Sequence, residues 1–431
     1  MRSADTIFAL SSGAPPAAIA IIRISGPFAF DAIHALAGRL PVPRRASLAT
    51  LKDPQDGGLL DHALVLTFPG PNSASGEDLA ELHLHGGRAV VRAVENALLN
   101  LPELRRAEPG EFTRRAFLHG RLDLNEAEGL ADLLSAETEW QRRAAGAMMG
   151  GVFSAVIETW RHDVLRLSAM TEAELDFSDE DDVEKLNNSS ISDGCMKIHD
   201  AITQLLAAPA AEKLRDGIRV VLGGPPNSGK STLLNALVAR DAAIVSDIAG
   251  TTRDMIEVPV ALEGIPFLFT DTAGLRDATE DVIEAMGIER SLAAIESSDI
   301  LLWLGAEGDR PDHSQRIEIE AKADDPDHER KGSEAFQISA VSGEGMNALV
   351  NEIIGRAKDM LPPPDQFAVN QRQRSLLSNC AAALAEASVS TDWLIVAENL
   401  RQARLALDAL TGRAHTEDML DVLFGKFCVG K

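Results

Sequence analysis

Residues 224–231 read GPPNSGKS, a glycine-rich turn ending in a lysine and a hydroxyl. The chemistry that fits this pattern is the cradling of phosphates. Glycines let the backbone come close, so that successive N–H groups can point at an anion. Lys230 would reach the β- and γ-phosphates of a nucleotide, and Ser231 would ligate Mg²⁺. The flanks agree: IRVVLG before the loop reads as a strand and STLLNALVA after it as a helix, the context this motif requires.

Further groups of the same chemistry follow in chain order. DIAGTTRD (247–254) offers Thr252, which can complete Mg²⁺ coordination and sense a γ-phosphate. DTAGLR (271–276) places Asp271 to hold Mg²⁺ through water, and the Gly274 N–H to contact the γ-phosphate. RIEIEAKAD then brings Lys322 and Asp324. The Asp324 carboxylate can accept both donors of the N1/N2 edge of guanine, a pair that adenine cannot supply. Lys322 can lie along the base. Ala321 stands where such motifs carry Asn, so weaker binding with guanine preference kept is the expectation. ISAVSGEG (338–345) supplies Ser339 and Ala340, whose backbone suits a contact to the base.

One position is informative by its residue type. Leu275 follows DTAG, where a Gln would orient the attacking water. No arginine finger is evident, and such a finger accelerates hydrolysis by ~10³–10⁵. Asn227 is a candidate ligand for a monovalent cation in the finger's place, with backbone carbonyls around 246–251 completing the site. Glu284, in EDVIEAMGIER, is a candidate to position water through a second water.

These groups need elements to hold them. Residues 217–358 alternate strand and helix, the pattern of a parallel α/β domain, with MIEVPVAL and IPFLFT as a strand pair. Residues 1–118 form a separate α+β module. There AIAIIRIS (18–25), DHALVLTF (61–68) and AELHLHGG (80–87) read as strands, the last running into a turn, and RAVVRAVENALLNL (88–101) as a helix. From 119 to 214 the periodicity is helical, NEAEGLADLLSAETEWQRRAAGAMM reading as one long stretch and VFSAVIETWRHDVLRLSAMTEAELDF as another. After LPPPD (361–365), residues 368–424 are helical again, with NQRQRSLLSNCAAALAEA and LIVAENLRQARLALDAL as the clear helices. Two helical blocks flank the α/β domain, so the economical architecture is one helical domain interrupted by a nucleotide domain.

Composition narrows the classes. The chain has 431 residues, 45% hydrophobic and 25% charged, enough for two to four domains with full cores. No apolar run reaches the ~18 residues of a membrane span, and the start, MRSADTIFALSSG, does not read as a signal peptide. Three scattered cysteines, Cys195, Cys380 and Cys428, exclude a disulfide framework or a zinc site and fit a reducing cytoplasm. A net charge of −25 argues against gripping nucleic acid by a broad basic face. If nucleic acid is a substrate, a partner is expected to supply much of the positive surface. Tyrosine is absent and aromatics are 4%, so a stacking platform for single strands is not expected.

Taken with both ends of the chain, these motifs resemble the MnmE (TrmE) family of tRNA-modification GTPases. The resemblance rests on the phosphate loop, DIAGTTRD and DTAGLR. It rests also on the opening DTIFAL…IIRISGP, on ELHLHGG (81–87), on GEFTRRAFLHGRLDLNEAEGLADLL (110–134) and on the terminal FCVGK. It implies three parts: an N-terminal α+β folate-binding and dimerising domain (1–118), a helical domain from two segments (119–214 and 359–431), and an inserted Ras-like P-loop GTPase domain (217–358). It implies a K⁺-dependent GTPase whose G domains dimerise across a homodimer. GTP contacts fall on Asn227, Ser228, Gly229, Lys230, Ser231 and Thr232. They fall also on Ser246, Asp247, Ile248, Ala249, Gly250, Thr251 and Thr252, on Asp271, Thr272, Ala273 and Gly274, and on Lys322, Asp324, Ser339 and Ala340. K⁺ falls on Asn227, Ser246, Ile248 and Thr251, Mg²⁺ on Ser231 and Thr252, and the catalytic carboxylate on Glu284.

The resemblance also implies a flavoprotein partner, MnmG, which uses FAD and NADH. With it, a carboxymethylaminomethyl or aminomethyl group is added to carbon 5 of the wobble uridine of certain tRNAs. A tetrahydrofolate one-carbon unit (5-formyl or 5,10-methylene) supplies the bridging carbon. Folate binding falls on Arg23, Glu81, Arg121 and Lys431. Glu81 could accept from the amino-pyrimidine edge of the pterin, while Arg and Lys could pair the glutamate tail. Arg121 stands where the family commonly has Lys, which keeps the charge and changes the geometry. Cys428, beside Lys431, is a candidate nucleophile or an inert small residue. The rival class is a GTP-switched ribosome or ribonucleoprotein assembly factor, and a third reading, resting on Ala321, is an ATPase. FCVGK has no evident role in a pure switch.

Overall fold

The computed structural model describes residues 5–176, 188–240, 256–271, 292–325, 330–332, 335–363, 367–414, 417–425 and 427–430. The chain divides into two compact units: residues 1–131 with 408–431, and residues 132–407.

The first unit is built on six strands, β1 (Thr6–Leu10), β2 (Ile19–Ser25), β3 (Ser47–Lys52), β4 (Leu59–Phe68), β5 (Leu79–His85) and β6 (Leu104–Arg106), in the order β3-β4-β5-β2-β1-β6. Strict alternation along β2 and β5 turns Ala20, Ile22, Ile24, Leu82 and Leu84 to one face. There they pack with Ile33 and Leu36 of helix α1 (Ala29–Ala37) and with Val91, Val94 and Leu98 of α2 (Arg88–Leu99). The other face carries the opposite residues of the same strands, among them Arg23, Ser25, Glu81 and His83. Helix α3 (Glu111–Leu118) brings Phe112 against Ile7, Ala9 and Ala107. The chain returns to this unit at its C-terminal end, where Leu420, Phe424 and Phe427 pack with Leu124 and Ala127.

In the second unit β7 (Ile218–Gly223), β8 (Ile256–Leu262), β9 (Ile265–Asp271), β10 (Ile300–Trp303), β11 (Arg316–Glu320) and β12 (Phe336–Gln337) form a sheet in the order β12-β11-β10-β7-β9-β8. All neighbours are parallel except β8 and β9, which form a hairpin. Strands buried on both faces read as apolar runs, as ILLW in β10 does. The chain leaves β7 for β9 on one side and reaches β10 on the other. The carboxyl end of β7 is therefore the point where the order reverses, the usual place for a ligand crevice in an open α/β sheet.

The helical stretch read as continuous over 125–149 is two helices, α4 (Leu124–Ser135) and α5 (Glu139–Met149). Thr138 breaks it. Its hydroxyl accepts from the Gln141 N–H at 3.3 Å, and the Gln141 side chain accepts from the Thr138 N–H at 2.9 Å. This capping box starts a new helix in mid-pattern. Helix α6 (Val152–Asp176) begins after the Gly150–Gly151 pair, and α7 (Asn188–Leu206) and the short α8 (Glu212–Asp216) precede β7. Helix α9 (Lys230–Arg240) follows the phosphate loop. Beyond the sheet come α10 (Met346–Met360), α11 (Gln371–Val389), α12 (Trp393–Thr411) and α13 (Glu417–Phe424).

Candidate functional site

The phosphate loop joins the end of β7 to the start of α9, so the first free N–H groups of that helix face the loop. Asn227 takes a left-handed φ of 61°, which Asn tolerates better than most residues. Lys230 is buried, and its ammonium donates to the carbonyls of Gly224 at 2.9 Å and Pro225 at 2.8 Å. The Ser231 hydroxyl donates to Asp271 at 2.5 Å. A hydroxyl from the helix start and a carboxylate from the end of β9 thus meet at one point, the donor set that suits a hard cation such as Mg²⁺. Among the described residues, the buried Ser228 hydroxyl has no hydrogen-bond partner, which fits a loop shaped to give its donors to a ligand.

A pocket of about 310 Å³ adjoins the loop, lined by Gly229, Thr232, Leu233, Ala321, Lys322, Asp324, Asp325, Ile338, Ala340 and Val341. It lies at the small end of the range for ligand sites. β11 ends at Glu320, and Lys322 has a φ of 60°, so Ala321–Asp325 is a turn and not the start of a helix. The loop from Ile338 to Gly345 ties itself. The Ser339 N–H donates to the Glu344 carbonyl at 3.0 Å, and its hydroxyl accepts from the Ser342 N–H at 3.0 Å. Gly345 has a φ of 70°, and a Cβ there would lie 1.9 Å from the Gln337 carbonyl oxygen, so glycine alone fits. Ser339 is fully buried and holds the loop, while Ala340 and Val341 line the pocket. Leu233, Ile338 and Val341 were not singled out by sequence. Val341 directly follows Ser339–Ala340, and that adjacency was the available signal.

Ser246, Asp247, Ile248, Ala249, Gly250, Thr251, Thr252, Thr272, Ala273, Gly274, Leu275, Glu284 and Lys431 lie outside the described residues.

In the first unit, Arg23 and Glu81 are directly paired across β2 and β5. Two guanidinium nitrogens of Arg23 donate to Glu81 Oε1 at 3.2 and 3.0 Å, and His83 lies 3.3 Å from Oε2. The Arg23 guanidinium also sits over the Phe112 ring at 5.8 Å. Both members of the pair are partly exposed on the face away from α1 and α2. His83 was missed by sequence, although its i+2 spacing from Glu81 puts the two on one face. Arg121 is exposed, and its Cγ lies 3.3 Å from where a Gly76 Cβ would be.

The C-terminal tail is bound to this unit. Val429 bridges to Pro109, the Cys428 carbonyl accepts from the Gly110 N–H at 3.5 Å, and the Gly430 carbonyl accepts from the Ser11 hydroxyl at 2.8 Å. Gly430 sits against the carbonyl of Leu10, whose neighbour Ala9 pairs with Arg23. Cys428 is exposed.

Beneath that face runs an ionic network. Arg105 donates to Asp5 at 2.6 Å and to Glu111 at 2.8 Å and 2.5 Å. Arg115 donates to Asp5 at 2.9 Å, Glu77 at 3.1 Å and Glu111 at 3.1 Å. Burial alone would raise the carboxyl pKa values of Asp5 and Glu111, but the two guanidiniums outweigh it and hold both below the ordinary carboxylate range.

A parallel sheet with a phosphate loop at its switch point, a carboxylate at the end of β9 and a base-sized pocket define a P-loop GTPase domain, here joined to an α+β unit of separate chemistry. Residues 124–428 match the family model described as the MnmE helical domain, and residues 6–121 match that described as the GTP-binding protein TrmE N-terminus. A protein of Novosphingobium aromaticivorans named tRNA modification GTPase MnmE is 57% identical, the match covering 99% of this chain and 100% of that one. Proteins of the same name from Erythrobacter litoralis and Zymomonas mobilis subsp. mobilis are 56% and 48% identical, each match covering 99% of this chain and 100% of the relative. The chain belongs to the MnmE (TrmE) family of tRNA-modification GTPases.

Proposed function

We propose that this chain is a K⁺-dependent GTPase that acts with the flavoprotein MnmG on the wobble uridine of certain tRNAs. The two install a carboxymethylaminomethyl or aminomethyl group at carbon 5, with a tetrahydrofolate one-carbon unit. The observation that carries the reading is the base pocket beside the phosphate loop, in a chain related to this family over its full length. Lys230 and the loop N–H groups bind the phosphates, and Lys230 gives up its two loop carbonyls to do so. Asp324 accepts from the guanine edge, and Lys322 covers the base. Mg²⁺ would be held by Ser231 and Thr252, with Asp271 behind a water, and would neutralise charge on the phosphates. K⁺ would be held by Asn227, Ser246, Ile248 and Thr251, and would supply the charge an arginine finger gives elsewhere. Glu284 orients water.

In the first unit, Arg23, Glu81, Arg121 and Lys431 bind the folate. For Glu81 to accept from a pterin, Arg23 must turn away from it toward the glutamate tail. The tethered tail then brings Cys428 to the same face. The protein works as a cytoplasmic homodimer, and association of its G domains drives hydrolysis.

Steady-state GTP hydrolysis in KCl and in NaCl at matched ionic strength tests the account. A large rise specific to K⁺ is expected. Equal rates in the two salts would remove the cation from the mechanism and favour the assembly-switch alternative.

A further inference from the structure

The chain as a whole is strongly acidic, at −25, yet its cations are not evenly spread. From Ala32 to Lys52 it carries Arg39, Arg44, Arg45 and Lys52 and no Asp or Glu. All four are exposed. Elsewhere several exposed arginines are paired with carboxylates, as Arg106 is with Glu95, Arg142 with Glu139 and Arg401 with Glu398. Among the described residues, none of these four has a carboxylate partner. Arg44 donates to the Asn72 carbonyl and lies over the Phe68 ring at 5.7 Å, and Arg39 reaches the Leu48 carbonyl at 3.5 Å. Of the flanking acids, Asp31 lies in the first turn of α1, while Asp53 and Asp56 are turned into their own turn, accepting from the N–H groups of Gln55 and Gly58.

The fold places these cations along one sheet edge. β3 is the edge strand of its sheet, with Arg45 just before its start and Lys52 at its end. At ~3.3 Å per residue the line from Arg45 to Lys52 spans roughly 20 Å, long enough to meet several phosphates of a duplex stem. Beside it a recess runs between the end of α1 and β3, lined by Ala35, Ala37, Leu48 and Ala49 together with Arg39 and Lys52.

We propose that this edge of the first unit is a contact surface for the phosphate backbone of tRNA. The inference rests on the tRNA-modification reading above and adds to it a surface outside both sites. Among the described residues the cations make no ion pair with a carboxylate, which leaves their charge available to phosphates. A local strip also removes the objection that the whole chain is too acidic to touch RNA, because screening confines each charge to ~10 Å.

The test is binding of full-length protein to a tRNA transcript over a range of salt, for wild type and for a variant with Arg39→Gln, Arg45→Gln and Lys52→Gln. Arg44 is left in place because it packs on Phe68. A control of equal net charge carries Arg106→Gln, Arg142→Gln and Arg401→Gln. The strip variant should bind at least about tenfold more weakly near 0.1 M salt, with the slope of log K against log salt reduced by about 2, and the control should bind as wild type does. Equal loss in both variants would overturn the strip in favour of general charge. A strip variant that aggregates while its monomer binds tRNA normally would assign the cations to protection of an edge strand. Binding to vesicles of anionic phospholipid in place of tRNA would overturn it as well. Complementation separates the two levels of inference, using a strain lacking its own copy of this GTPase. If wild type restores tRNA modification and the strip variant does so equally, only the surface fails. If wild type hydrolyses GTP and restores none, the modification reading fails with it.

Discussion

Cys428 differs from the other two thiols in exposure. Cys195 and Cys380 are buried, and burial pushes their thiols up to about 11 and about 12, so neither forms thiolate near neutrality. Cys428 is exposed on a tail whose backbone is tied at Pro109, Gly110 and Ser11. A water-soluble disulfide reagent should therefore titrate one thiol per native chain quickly, and Cys428→Ser should abolish that reaction. The same variant should lower tRNA modification while leaving GTP hydrolysis unchanged. Full modification by the serine variant would leave Cys428 as a spacer in the tail. At this scale the sequence was unevenly legible. Lys230, Ser231 and Asp271 could be read because phosphate chemistry fixes their local pattern. The Arg23–Glu81 contact could not, because it depends on strand register between residues 58 apart. Ser228 could be placed in the loop, but not that its hydroxyl is buried without a protein partner.

Elements with a strong local signal formed where periodicity placed them, as β2, β4, β5 and α2 did. Those that depend on distant partners were silent. β6 has three residues and exists because it pairs with β1, and the two residues of β12 pair with β11. Thr138 and Gln141 divided a helical pattern that apolar spacing read as continuous, because a capping box competes locally with helix propagation. Gly110 shows how one residue joins two elements. It precedes α3 with a φ of +68°, and a Cβ there would lie 2.3 Å from the Phe424 carbonyl oxygen. Gly110→Ala must strain the turn and push away the segment that includes α13. We expect it to destabilise the first unit by about 1–3 kcal/mol and to speed proteolysis of the C-terminal tail. Chemical denaturation and limited proteolysis would check this, and a tail that remains protected would show that Phe424 shifts without cost.

At the scale of the molecule, the two units put their stability in different hands. In the first, Asp5 and Glu111 are held below the ordinary carboxylate range by Arg105 and Arg115. A depressed folded-state pKa contributes stability that is complete above the unfolded value of ~4, and that is lost as pH falls through the folded value. The first unit should therefore weaken progressively as pH drops below about 4, while its neutral-pH stability is flat in pH. The second unit instead answers to nucleotide. A ligand at 100 times its Kd stabilises the state that binds it by about 2.7 kcal/mol. Calorimetry of the full chain in acid, with and without GDP and Mg²⁺, should then show a transition that moves down with pH and ignores nucleotide. A second transition should rise with GDP. A single transition moved equally by acid and by GDP would mean that the two units unfold as one cooperative unit.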